Sequence, residues 1–241
     1  MNEATRTKLR RVSTATLATA LFKRGLRQQM IQDVHPLHAP TESLPTESMV
    51  GPAYTLRYIP AREDLNGIDA FHDRAHPQRV AIEQCPAGAV LVIDSRKSAR
   101  AASAGGILVT RLMVRGVAGI VTDGGLRDSA EIAGLGIPAY HQRPSAPTNL
   151  TLNQAVGINE PIGCGDAPVW PGDVIVGDAD GVIVIPAGIA DAIADEAIEM
   201  TAFEDFVTEQ VRGGQSILGL YPPTDEANLV AFKAWRQQAG R

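Results

Sequence analysis

The chain has 241 residues, 44% of them hydrophobic and 20% charged, with a formal net charge of −5. That balance excludes a disordered or fibrous chain, and the negative charge without a long Lys/Arg run excludes the basic surface that nucleic-acid binders turn to phosphates. Cys85 and Cys164 stand far apart, which excludes a disulfide framework and a zinc knuckle, and no apolar run reaches the ~18 residues of a membrane span.

A cytoplasmic protein without nucleic-acid or membrane partners is therefore expected, with no signal peptide. The basic stretch "TRTKLRR" reads as the solvated entrance to a helix. "TATLATALFKR" (14–24) places Leu17, Ala20, Leu21 and Arg24 at helical spacing, with Ser13 as N-cap and Gly25 past the end. The Pro-, Ser- and Thr-rich stretch 35–47 reads as a surface loop, and "MVGPAYTLRYIP" resumes strand alternation. "RVAIEQC" ends a helix. The spacing then predicts a strand over 88–94, a helix over 106–115, a strand over 117–122, a short helix after Arg127 and a strand over 137–140, the alternation of an α/β fold. "DVIVGDADGVIVIP" reads as a β-hairpin, residues 187–213 as a long amphipathic helix, and a final helix of about 15 residues follows "YPPTD". No linker divides the chain, so one domain over 1–241 is expected, with 215–241 as a C-terminal helical extension.

Two glycine pairs carry the chemical signal. In "GIVTDGGLRDS", Gly124 and Gly125 end a strand and let the backbone turn with room for a ligand, just before Arg127 and Asp128. Asp128-Ser129-Ala130-Glu131 also has the form of a capping box, and Arg127 could serve as partner to Asp123. In "SAGGILVTRL", Gly105 and Gly106 precede a helix, whose free amides at Gly106, Ile107 and Leu108 suit an anion such as a carboxylate; close helix–sheet packing is the other reading. Arg111 and Arg115 read as a solvated basic face.

Together with "VSTATLATAL", "MVGPAYTLR", "GAVLVIDSRKSARAASAGG", "GIPAY" and "PGDVIVGDADGVIVIP", these motifs resemble the ribonuclease activity regulators and the related 4-hydroxy-4-methyl-2-oxoglutarate aldolases over about residues 12–215. The resemblance implies a swivelling β/β/α sandwich with C-terminal helices, assembled as homotrimers or homohexamers with active sites between subunits. It implies that Asp128 ligates Mg or Mn, that Arg127 contacts a 2-keto acid and its enolate, and that amides of Gly105, Ile107 and Leu108 hold the substrate carboxylate. Glu204, or else Glu199, of a neighbouring subunit's long helix would support the metal through water. Aldolases of the family often carry an acidic residue where this chain has Gly106, which leaves the metal's surroundings one charge poorer.

Retro-aldol cleavage to pyruvate needs an electrophile at the pyruvate oxygen, which a metal and Arg127 supply, and oxaloacetate decarboxylation needs nothing more. The rival readings are a regulator docking on an RNA-processing ribonuclease and a hydrolase of a diketo acid. A Schiff-base route is disfavoured, because Lys8, Lys23, Lys97 and Lys233 all sit in polar contexts. His72 and His76 lack the glutamate of a zinc motif and read as loop or helix-start residues, and Asp178 and Asp180 as turn formers. Arg143, Ser145 or Asn149 could line the site.

Overall fold

The computed structural model describes residues 1–37 and 47–240; most of the loop expected over 35–47 therefore lies outside the described residues. Helix α1 (Glu3–Arg10) is capped by the Asn2 side chain, which accepts from the Thr5 amide at 2.8 Å. The basic stretch is thus a helix, not the approach to one: Leu9 is buried while Lys8 pairs with Asp195. Helix α2 (Thr14–Lys23) begins at the expected Ser13, whose Oγ accepts from Thr16 N at 3.1 Å, and Gly25 with φ +81° releases the chain. Two short strands, β1 (Met30–Ile31) and β2 (His35–Pro36), precede the 12-residue β3 (Met49–Pro60). Pro77 in the first turn opens α3 (Pro77–Gln84), where its missing N–H costs nothing.

The central stretch alternates as expected, with one addition: each parallel strand has a short continuation. Strand β4 (Val90–Asp94) is followed by β5 (Ala102–Ala104) and helix α4 (Gly106–Val114); β6 (Gly119–Thr122) by β7 (Gly125–Leu126) and α5 (Ser129–Ala133); β8 (Ala139–His141) by β9 (Arg143–Pro144). Next come β10 (Asn153–Ile158), β11 (Ile162–Cys164) and β12 (Ala167–Val169), then the expected hairpin of β13 (Val174–Asp178) and β14 (Gly181–Ile185). Helices α6 (Ala190–Arg212) and α7 (Glu226–Ala239) finish the chain.

Strand β3 joins two kinds of sheet. Its first residues, 49–52, pair antiparallel with β13, its last, 56–60, pair antiparallel with β10, and along its other edge 53–57 runs parallel to β4. From β4 the parallel half continues through β6 and β8 and closes on β2, while the antiparallel half continues from β13 through β14 to β1. Strands β5, β7 and β9 form a separate parallel sheet beyond the ends of β4, β6 and β8. Helices α3, α4 and α5 cover the parallel half over Leu91, Ile93, Val109, Leu112, Ile120 and Ile132. Helices α1, α2 and α6 bury Leu9, Leu17, Leu21, Ile193 and Ala197 against the hairpin's Val176 and Ile183. Helix α7 docks on α6 through Phe206, Phe232 and Trp235.

His141 is buried on β8 opposite His35, and its Nδ1 has no hydrogen-bond partner among the described residues. Burial, and then the charge of His35, lowers its imidazole from the ordinary 6.5 to about 4. The unfolded chain thus binds the extra proton first, and stability falls as pH drops from about 6.5 to about 4. Asp94, raised to about 6 chiefly by burial, acts in the opposite sense over an overlapping window, so a difference isolates the histidine. Between pH 7 and 5 the unfolding free energy of His141→Asn should fall less than that of wild type, by on the order of 1 kcal/mol in denaturant titrations. Identical losses would remove His141 from the acid response.

Candidate active site

The parallel sheet β5–β7–β9 brings the two glycine motifs together. Ala104 and Leu126 are register partners, and the Arg127 amide donates to Ala104 O at 3.1 Å, so Gly105 and Arg127 leave the sheet side by side. Little space separates them. A Cβ on Gly105 would lie 2.7 Å from Cγ of Arg127, and 2.8 Å from both its Nε and Oδ2 of Asp128.

Asp128 has left-handed backbone angles, φ 58° and ψ 39°. Asp tolerates that region better than most residues, at a cost on the order of 1 kcal/mol, and such strain concentrates at functional sites. The geometry corrects the capping-box reading, because the Asp128 side chain makes no cap to α5. Its Oδ2 accepts instead from the Gly106 amide at 3.0 Å and from Arg127 Nε at 3.3 Å. The Gly106 amide first, and the Arg127 guanidinium after it, hold the carboxyl below its usual range, so it is ionised at neutral pH. Arg127 is not the partner of Asp123, whose buried carboxylate takes the amides of Ser95, Lys97 and Gly165 at 2.6 to 3.1 Å. The Arg127–Asp128 pair is about half exposed, worth at most ~1 kcal/mol, and leaves the guanidinium able to turn to a ligand.

Three further expectations change. Gly124 and Gly125 give no room to a ligand: a Cβ would meet Ser95 Cβ at 2.6 Å and Ser145 Cβ at 2.5 Å, so these glycines serve close packing. Of the amides opening α4, that of Gly106 is taken by Asp128 and that of Leu108 by Gly105 O, leaving Ile107 N for an anion. Arg111 and Arg115 do not form a free basic face, since both pair with Glu83.

A candidate site residue missed in the sequence is Glu131. A Cβ on Gly106 would lie 2.7 Å from Oε2 of Glu131, so this carboxylate fills the space a side chain at 106 would occupy. Its signal was the spacing Asp-x-x-Glu, which one helical turn folds back onto the glycines. Asp128 and Glu131 thus offer hard oxygen donors beside the same backbone, a set suited to a largely hydrated cation such as Mg²⁺. Among the described residues no cluster of three or more His, Cys, Asp or Glu is placed to hold a metal.

Gly105, Arg127 and Asp128 border a cavity of about 490 Å³, lined also by Ile107, Leu108, Ile68, Phe71, Gln78, Arg79, Thr148 and Asn149. Of the downstream candidates, Asn149 reaches it, whereas Arg143 and Ser145 do not line it. Glu204 and Glu199 lie elsewhere in the chain: Glu204 accepts from Thr16 Oγ1 at 2.7 Å and Glu199 pairs with Arg236 on α7. Lys97 pairs with Asp166, which raises its pKa and holds the amine protonated, contrary to what a Schiff base requires. His76 is the buried N-cap of α3, a helix-start residue, while His72, an exposed partner of Asp69, ends a short 3-10 helix, Ile68–His72. Asp178 shapes the hairpin turn by accepting from the Asp180 amide at 2.9 Å.

A family model described as RraA-like, Aldolase/RraA, matches residues 14–184. A Halalkalibacterium halodurans protein provisionally named a 4-hydroxy-4-methyl-2-oxoglutarate aldolase is 33% identical over 162 residues, 66% of this chain and 70% of that one. A Burkholderia mallei protein with the same provisional name is 40% identical over 110 residues, and the match spans 44% of this chain and 64% of that one. Among solved structures, RraAS2 of Streptomyces coelicolor, described as an unusual member of the RNase ES inhibitor RraA protein family, superposes with a TM-score of 0.73 at 28% identity, over 86% of this chain and 96% of that one. The mixed α/β fold with its C-terminal helices is the fold of these neighbours.

Gly105 has φ −128°, which any residue adopts, so Gly105→Ala strains no backbone and acts through the displaced side chains. With pyruvate used as a small carboxylate probe of the cavity, the variant should fold and bind it at least ~10-fold more weakly than wild type by calorimetry. Unchanged affinity would show that the close approach at Gly105 does not shape the pocket.

Proposed function

The chain belongs to the RraA-like family, and on that premise we propose that it is a divalent-metal-dependent lyase. It cleaves a 4-hydroxy-2-keto acid by retro-aldol chemistry to release pyruvate, and decarboxylates oxaloacetate with the same groups. The observation that carries this reading is the convergence of Arg127, ionised Asp128 and the Ile107 amide at one end of a cavity bordered by Gly105. The aldolase names of relatives at 33% and 40% identity support the reaction class.

Asp128 and Glu131 would hold the cation, Mg or Mn, which when bound supplies a Lewis acid to the keto oxygen. The chain's own groups do the rest. The Ile107 amide, at the positive end of the α4 dipole, binds the substrate carboxylate. Arg127 aims its guanidinium at the keto oxygen, where negative charge develops as the carbon–carbon bond breaks. Ile107 and Leu108 border the reacting end and limit water there. In this reading the protein is a homotrimer or homohexamer, and Glu204 of a neighbouring subunit, steadied by Thr16, supports the cation through water.

A second reading, a regulator that docks on a ribonuclease, draws on the likeness to RraAS2. The glycine at 106 would favour it by thinning the charge around a cation, but Glu131 brings a carboxylate to that space.

Pyruvate release from 4-hydroxy-4-methyl-2-oxoglutarate and from oxaloacetate, coupled to lactate dehydrogenase, tests the lyase. Release should require Mg or Mn, stop with chelator and fall ~100-fold or more in Asp128→Ala. A folded oligomer that releases no pyruvate from either acid would overturn this reading.

A further inference from the structure

Arg127, Asp128 and the start of α4 account for only part of the cavity, whose volume of about 490 Å³ exceeds what the three carbons of pyruvate fill. Its far end is lined by Ile68, Phe71, Gln78, Arg79, Thr148 and Asn149. Gln78 is only 2% exposed. The orientation of its amide is fixed by Ser103 O, which can only accept: Nε2 donates to that oxygen at 2.7 Å and to Tyr58 Oη at 3.0 Å. That leaves Oε1 of Gln78, which has no hydrogen-bond partner among the described residues.

The neighbouring donors already serve other acceptors. Tyr58 gives its hydroxyl proton to Ser103 O at 2.8 Å, Thr148 directs its own to Asn149 Oδ1 at 3.3 Å, and Asn149 Nδ2 reaches Asn153 O at 3.5 Å. A buried amide oxygen without a donor is costly, so a ligand that fills this end gains by bringing one. An ionised carboxylate brings acceptors only, whereas a hydroxyl brings a proton and accepts as well. The donor for that hydroxyl oxygen stands beside Gln78 on α3: half-buried Arg79, whose guanidinium carbon lies 4.8 Å from the centroid of the Phe71 ring. Phe71, braced by His76 at 5.4 Å between ring centroids, and Ile68 supply the apolar surface that carbon-bound hydrogens need.

We propose that the far end is a subsite for a hydroxylated tail, so that the substrate is a 4-hydroxy-2-keto acid with at least one further hydroxyl beyond C4, as in a 3-deoxy-2-keto sugar acid. The inference rests on the lyase reading and names its substrate class. Gln78 Oε1 accepts from the distal hydroxyl, Arg79 donates to its oxygen, and Phe71 and Ile68 pack against the carbons of the tail. Cleavage balances without a co-reactant: the C3–C4 bond breaks, the C4 hydroxyl loses its proton to become an aldehyde, and the electron pair passes to C3, which takes up a proton to give pyruvate.

The test compares two five-carbon acids that differ by one hydroxyl, 4,5-dihydroxy-2-oxopentanoate and 4-hydroxy-2-oxopentanoate, both racemic at C4. Pyruvate release from each is followed with lactate dehydrogenase, using the full-length protein and Mg²⁺. Wild type should show a kcat/KM ~10-fold or more higher for the dihydroxy acid. Gln78→Met, close in shape but without the acceptor, should bring that ratio to ~3 or below. Because Gln78 also anchors α3 to β5, a purely structural role would lower both rates and leave the ratio unchanged. Arg79→Gln removes the guanidinium while keeping the bonds of Gln78, and it should likewise reduce the ratio, which keeps the test open if Gln78→Met does not fold. Equal kcat/KM values in wild type, or an undiminished ratio in a folded Gln78→Met or, failing that variant, in Arg79→Gln, would overturn the subsite and leave the lyase reading intact. Pyruvate from 4-hydroxy-4-methyl-2-oxoglutarate but from neither five-carbon acid would do the same. No pyruvate from any of the three acids or from oxaloacetate would overturn the lyase reading, and the subsite with it.

Discussion

The hydrogen bond from the Gly106 amide to the Asp128 carboxylate is the contact on which the candidate site depends. It ties the start of α4 to the link between β7 and α5, two segments 22 residues apart, and forms only if three conditions hold together. Strands β5 and β7 must run parallel in register, so that both links leave the sheet on one side. Residue 105 must lack a side chain, since a Cβ there would meet Arg127 and Asp128, while at 106 the end of the Glu131 side chain occupies the space. Asp128 must take the left-handed conformation that turns its side chain back toward the glycines rather than along α5. In return the carboxylate stays ionised, and the arginine beside it is oriented without being buried.

The base beneath this contact is rigid for reasons of hydrogen bonding. Ser95, Ser103 and Thr122 form a buried cluster of hydroxyls, with Ser103 Oγ 2.6 Å from each of the other two. Asp123 gathers three backbone amides. Gly124 lets β6 approach that cluster closely enough for β7 to continue as a strand. The parallel strands end in a polar knot whose members satisfy one another, and the flexible groups, Arg127 and Glu131, lie at the surface above it. This division suits a site in which the ligand-facing charges adjust while the backbone donors do not.

Glu131 alters how a glycine at position 106 is read. Where relatives are expected to carry an acid on α4, this chain has an acid one turn into α5, reaching the same space from the opposite side. A carboxylate thereby stands beside Asp128 although its position in the sequence moves. At the other end, Arg79 and Asn149 come from segments that show no motif of their own and meet only because α3 and the turn before β10 pack against β5.

The sequence by itself determined the α/β alternation, the hairpin at Asp178–Gly181, the Ser13 cap, the long α6 and the prominence of Gly105, Arg127 and Asp128. All of these rest on local periodicity or on residue types whose backbone preferences act over a few positions. Strands β10 to β12 escaped it, being short or irregular and stabilised by pairing with β3 and with each other rather than by their own pattern. The capping box was a local reading that tertiary structure overruled, since Asp128 gains a distant amide at Gly106 in place of one in its own helix. The packing roles of Gly124 and Gly125, the carboxylate of Glu131 and the place of Arg79 in the cavity were decided only in three dimensions. Each depends on which side chain occupies the space opposite, and a linear spacing carries no record of that.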